Sequence, residues 1–108
     1  MIVLTLNVCG IRASQKKGLF KWLSKVKADI ICLQETKAGD EDAAIALSSM
    51  KDYNISINSS KARKGYSGTS ILSKKTPINV YYDIGITHHD QEGRVIKAEF
   101  EDFNLINV

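Results

Sequence analysis

The stretch from Ile2 to Gln34 constrains the fold most, because the period of its apolar residues changes twice. IVLTLNV at 2–8 is short and rich in β-branched residues, which favours a buried strand over a helix. From Leu19 to Val26 the apolar residues Leu19, Phe20, Trp22, Leu23 and Val26 recur at helical spacing, with Lys17, Lys21, Lys25 and Lys27 largely on the other face. That spacing predicts an amphipathic helix with Trp22 in the core. DIICLQ at 29–34 reads as a second buried strand. EDAAIALSSM at 41–50 reads as a second helix, its acidic start suiting the positive end of the helix dipole. Strand, helix and strand in this order imply a parallel pair joined by a right-handed crossover.

Beyond residue 50 the pattern becomes a series of strands: YNISIN at 53–58, GTSILSK at 68–74, INVYYDI at 78–84, RVIKAEF at 94–100 and FNLINV at 103–108. Glu101 and Asp102 form a tight hairpin turn between the last two, and Pro77 stands where a missing N–H does least harm, at a strand start. No repeat, low-complexity tract or domain boundary interrupts residues 1–108. FNLINV runs to the last residue with no turn, cap or polar tail, so the chain is expected to be cut from something longer.

With 44% hydrophobic and 25% charged residues, the 108-residue chain has the balance of one small soluble domain. A formal charge of +3 suits an anionic partner without specifying one. Cys9 and Cys32 lie inside apolar runs without metal-site spacing, and are expected to be reduced, core-lining thiols. MIVLTL has no basic leader and is too short for a secretion signal or a membrane span. These features predict a cytoplasmic protein that does not engage membranes.

Four polar clusters stand at strand ends: Asn7 with Cys9 to Arg12, Gln34 to Lys37, Lys64 to Gly68, and Asp90 to Arg94. In sheets with parallel strands, ligand sites collect outside the carboxyl ends of the strands. Glu35 is there a candidate Mg²⁺ ligand, since this ion takes one or two protein carboxylates and fills its other positions with water and substrate phosphate. A surface ion pair with Lys37 would place the same two residues in the same way. Asn7 could orient a phosphate oxygen or simply form a turn beside Gly10. Gly65, Tyr66, Ser67 and Gly68 would let backbone N–H groups approach a phosphate, with the Tyr66 ring free to pack on a sugar or base. Arg12, Lys16, Lys17 and Lys21 form either a phosphate track or a solvated face. His88 and His89 belong to a loop, and as neighbours in extended chain they point apart and cannot easily share one ion.

Taken together, LNVCGIRA, DIICLQETK, GYSGTSILSK and HDQEGRVI resemble the exonuclease III family of abasic-site endonucleases, within the endonuclease/exonuclease/phosphatase superfamily. The resemblance covers essentially the whole chain. It implies an α/β fold, one half of a four-layer α/β sandwich with a mixed sheet and helices on its outer face, so that residues 1–108 are the amino-terminal half of such a domain. It implies a DNA repair nuclease that incises abasic sites and trims 3′ ends with Mg²⁺, or Mn²⁺ in its place. Glu35 would be the carboxylate ligand of the metal, and Asn7 part of the polar network around metal and scissile phosphate. Arg12, Ala13, Lys16, Lys37, Gly65, Tyr66 and Arg94 would contact DNA, with Glu92 beside Arg94. The location implied is cytoplasmic, on the nucleoid if the source is bacterial.

Two departures qualify that picture. Relatives often carry Asp or Asn at position 9, and Cys9 is a poor ligand for Mg²⁺. The family's later motifs, Gly-Asp-x-Asn and Ser-Asp-His, do not occur in these 108 residues. Without them hydrolysis lacks its water-activating group and part of its charge stabilisation. The expectation is one sheet with an exposed apolar inner face, needing as partner the missing carboxyl-terminal half or a second copy of the chain. A noncatalytic DNA-binding or dimerisation module is the alternative function, and a phosphoinositide or other phosphodiester the alternative substrate.

Overall fold

The first apolar run becomes a strand because it finds a parallel neighbour. In the computed structural model, which describes residues 1–108, β1 (Val3–Asn7) pairs with β2 (Ile30–Gln34), from Val3 opposite Ile30 to Asn7 opposite Gln34. The crossover between them contains the expected helix, here α2 (Leu19–Val26), preceded by a short α1 (Ile11–Lys16) that the sequence pattern did not reveal. After α3 (Asp40–Leu47), β3 (Asn54–Asn58) and β4 (Thr69–Ser73) complete a mixed sheet of order β1-β2-β4-β3, with β4 antiparallel to both its neighbours.

The helices cover the outer face of this sheet. Ile11, Leu23 and Leu47 are fully buried there against Ile31, Leu33 and Leu72. Burying a side chain of this size is worth ~1.5–3 kcal/mol, so this layer dominates the hydrophobic stabilisation. Trp22 does not join it and is 50% exposed, contrary to expectation. It precedes the buried Leu23 by one residue and is therefore turned by about 100° off the face that points inward. β1 also departs from the buried strand expected. It is an edge strand on which Leu4 and Leu6 turn toward the helices while Val3, Thr5 and Asn7 are exposed.

The largest correction concerns the inner face. The chain supplies two sheets rather than one: β5 (Asn79–Tyr82), β6 (Ile96–Glu99) and β7 (Asn104–Asn107) form an antiparallel meander of order β5-β6-β7. It packs Ile96 and Ala98 onto Ile30, Cys32 and Ile71 of the first sheet, with Val80, Phe100, Phe103 and Leu105 around them. Over β2 and β4 the apolar face expected to await a partner is thus covered by the chain's own β5–β7, while Val3 and Thr5 of β1, on the same face, stay exposed. The expected turn between the last two strands is present, with the Phe100 N–H donating to the Phe103 carbonyl at 2.8 Å. His88 and His89 lie in a one-turn helix, α4 (Thr87–Asp90), rather than in a loop, with their rings edge to face. No helix is long and apolar enough to cross a membrane.

Toward the carboxyl end of β2 the contact between the sheets turns polar. The Asn107 side-chain amide donates to the carbonyls of Leu33 (3.0 Å) and Ser70 (2.8 Å), and its oxygen accepts from Gln34 Nε2 at 2.8 Å. Asn58 likewise donates to the Val95 carbonyl at 2.9 Å and to Asp83 Oδ1 at 2.8 Å. Buried amides are tolerable here because their hydrogen bonds are satisfied.

Candidate active site

Where β1 and β2 end, the chain cannot continue the sheet, and backbone hydrogen bonds fasten three loops together instead. On one side the N–H groups of Val8, Gly10 and Ile11 donate to the carbonyls of Gln34, Glu35 and Thr36 at 2.8–3.0 Å. On the other, Thr36 N–H donates to the Gly68 carbonyl at 3.2 Å and Lys37 N–H to that of Ser67 at 2.8 Å. Thr36 is fully buried between them, so Glu35 and Lys37 both turn outward. Glu35 pays for this presentation with a left-handed backbone, φ 54°, a conformation that costs a non-glycine residue of order 1 kcal/mol or more. Gly68 has to be glycine, since a Cβ there would strike the Thr36 hydroxyl.

Glu35 and Lys37 face an open cavity of about 320 Å³, whose other walls are Arg63, Gly65, Tyr66, Ser67 and Arg94. The Lys37 ammonium lies 3.7 Å from the Glu35 carboxylate and 3.4 Å from Cys9 Sγ. Both neighbours push its pKa above the ordinary lysine value, the sulfur first and the carboxylate second. Cys9 is therefore an exposed thiol beside the site, not the core-lining residue expected. Cys32 does line the core, and burial pushes its thiol up to about 11.

The second wall is carried by the loop after β3, which is tied to the loop before β6. Lys61 and Ala62 N–H groups both donate to the Gln91 carbonyl. Gly93 must approach Ser59 so closely that a Cβ would collide with its backbone. The tie brings Arg94 to Tyr66, whose hydroxyl accepts from the guanidinium at 3.0 Å and donates to Glu92 at 3.2 Å. Arg94 also bonds Glu92 directly, which draws the Glu92 carboxyl below its usual range and raises the guanidinium.

Of the residues singled out in the sequence, the fold therefore brings Glu35, Lys37, Gly65, Tyr66 and Arg94 into one cavity. Asn7 stands beside them at the end of β1, its side-chain oxygen accepting from Cys9 N–H at 3.0 Å. Arg12, Ala13 and Lys16 lie exposed on or beside α1 and do not line the cavity. Arg12 pairs instead with Asp42 of α3, at 3.5 Å. Ser67 of the glycine-flanked loop also lines the cavity, and Arg63 is a wall residue that the sequence did not single out. Arg63 sits with its guanidinium carbon 4.2 Å from the centre of the Tyr66 ring, so one ring face that was expected to be free is occupied.

Three cations and one carboxylate thus meet on loops at the carboxyl end of a parallel pair, an arrangement chemically able to receive an anion, with one hard oxygen ligand beside it. No three His, Cys, Asp or Glu side chains converge anywhere in the chain. Glu35 is the carboxylate in the cavity wall that could hold a divalent ion, with water and substrate filling the other positions in the way Mg²⁺ is commonly bound.

The chain belongs to the Endonuclease/Exonuclease/phosphatase family, whose pattern matches residues 4–108. Among its relatives, the exodeoxyribonuclease of Bacillus subtilis (strain 168) is 45% identical over 109 residues, covering 100% of this chain and 42% of that protein. DNA repair nuclease APEX1 of Danio rerio is 43% identical over 107 residues, covering 98% of this chain and 34% of its own length. An AP endonuclease from Archaeoglobus fulgidus has the same fold, with a TM-score of 0.78 at 26% identity over 98% of this chain and 40% of that one. The chain thus spans well under half the length of the proteins it matches.

Proposed function

We propose that residues 1–108 are the amino-terminal part of a Mg²⁺-dependent DNA repair nuclease that hydrolyses phosphodiesters at abasic sites and at 3′ ends. The observation that carries this reading is the convergence of Glu35, Lys37, Tyr66 and Arg94 on one open cavity at the strand ends. Relatives named as an exodeoxyribonuclease and a DNA repair nuclease, over nearly the whole chain, support the substrate class.

In this reading Glu35 holds the metal, and its left-handed backbone aims the carboxylate without further reorganisation. The ion, when bound, would supply Lewis-acid polarisation of the phosphoryl oxygen. Lys37 stays protonated and neutralises charge on the phosphate, while Asn7 orients the group beside it. Gly65 and Ser67 line the wall against which the strand lies, and Arg94, positioned by Glu92 and Tyr66, holds a neighbouring phosphate. Arg12, Ala13 and Lys16 would meet the duplex outside the cavity. Neither Gly-Asp-x-Asn nor Ser-Asp-His occurs in the 108 residues, so turnover would require a carboxyl-terminal partner that activates water.

The test is complementation. The chain is mixed with a carboxyl-terminal half bearing those motifs, and an abasic duplex is assayed with Mg²⁺. Cleavage should appear on mixing and fall by at least about 10²-fold with Glu35→Ala. Cleavage indifferent to Glu35→Ala would sink the metal assignment, and DNA binding that never yields turnover would favour the noncatalytic reading.

A further inference from the structure

Every charged group in the cavity except one is already committed. Lys37 pairs with Glu35, and Arg94 pairs with Glu92 and the Tyr66 hydroxyl. Arg63 makes no ion pair and donates no side-chain hydrogen bond within the chain, although it lines the same wall. A long exposed side chain without a partner normally sweeps a wide volume, because holding it costs side-chain entropy. This one is held over the Tyr66 ring, whose electron-rich face attracts a cation. The ring is fixed in turn, since its hydroxyl is engaged by Arg94 and Glu92. The result is a planar fork of five donors, positioned in advance and facing no anion of its own protein.

We infer that Arg63 is a substrate-positioning residue, set on Tyr66 to receive a backbone phosphate next to the one addressed by Glu35 and Lys37. Tyr66 then acts as the platform for a cation rather than as a surface on which a base stacks. A guanidinium suits the task better than an ammonium, because its fork can bind two phosphate oxygens at once. The inference rests on the nucleic-acid reading above and assigns one specific contact within it.

Fluorescence anisotropy with a short labelled duplex carrying a tetrahydrofuran abasic analogue, in the absence of divalent ions, tests it on the 108-residue chain across about 50–200 mM salt. Arg63→Ala should weaken binding about tenfold at low salt and reduce the slope of log affinity against log salt by about one. Arg63→Lys should restore the slope but not the full affinity. Tyr66→Leu should weaken binding more than Arg63→Ala, since it also removes the hydroxyl that positions Arg94, but its loss beyond that of Tyr66→Phe should shrink in the Arg63→Ala background, because that further loss and Arg63→Ala remove the same placed cation. Tyr66→Phe, which keeps the ring, should retain the effect of Arg63→Ala. An unchanged slope in Arg63→Ala, with normal binding by the unaltered chain, would overturn the role of Arg63 and leave the nuclease reading standing. A loss between Tyr66→Phe and Tyr66→Leu that is undiminished in the Arg63→Ala background would overturn the platform. Absence of salt-dependent binding by the unaltered chain would overturn the nucleic-acid reading and this inference with it.

Discussion

Replacing Asn107 with alanine removes three hydrogen bonds in one step: two donated to the Leu33 and Ser70 carbonyls and one accepted from Gln34. All three cross from the three-stranded sheet to the four-stranded one, and the residue is only 3% exposed. At a net ~0.5–1.5 kcal/mol per neutral hydrogen bond, the loss comes to about 2–4 kcal/mol, a large part of the ~5–15 kcal/mol that holds an ordinary domain together. In urea unfolding followed by far-ultraviolet circular dichroism, a slope of about 2 kcal/mol/M converts this to a midpoint lowered by about 1–2 M. Asn107→Asp should be worse at neutral pH, because a buried carboxylate would face two carbonyl oxygens with no donor between them. A midpoint shift under about 0.3 M for Asn107→Ala, with the slope unchanged, would refute the claim that this residue fastens the two sheets.

Further outcomes concern the titratable groups. In the native protein, Cys9 should react with a disulfide reagent at neutral pH. Cys32, buried and with its thiol pushed up to about 11, should react only after denaturant unfolds the chain; equal rates would contradict the burial. The Glu92 carboxyl, drawn down by Arg94 and Tyr66, contributes stability above the ordinary glutamate range and loses it only as pH falls through its lowered folded value. A carbon-detected NMR titration should therefore place Glu92 below exposed glutamates, and Arg94→Ala, which removes the first of the lowering causes, should move it toward their range.

Much of the fold was written in period and residue type. The parallel pairing of β1 and β2 followed from two short apolar runs flanking an amphipathic helix, and each later strand was recognisable from its β-branched residues. Membership of a sheet was not, since INVYYDI and GTSILSK look alike locally and only tertiary packing sends one to the second sheet. The polar seam at Asn58 and Asn107 was invisible for a related reason: an asparagine in a strand looks exposed until its partners on another sheet are known. Glu35, Lys37, Tyr66 and Arg94 stood out because their motifs sit at strand ends. Arg63 did not, because ARKG looks like a solvated charge run, and its position over Tyr66 arises only once the loop has closed. Cys9 misled through its apolar neighbours; a left-handed turn at φ 42° takes it out of the strand.

The loop that carries Glu35 and Lys37 is held by backbone bonds to residues 8–11 on one side and 67–68 on the other. Slipping β1 against β2 by a single residue would turn its side chains to the opposite face and break the bonds on that side together. A similar slip of β4 would undo the other side. A chain in the wrong register therefore cannot display a partly formed site: the carboxylate reaches its place only when three distant stretches of backbone have aligned, and its presence there certifies that the sheet has been assembled correctly.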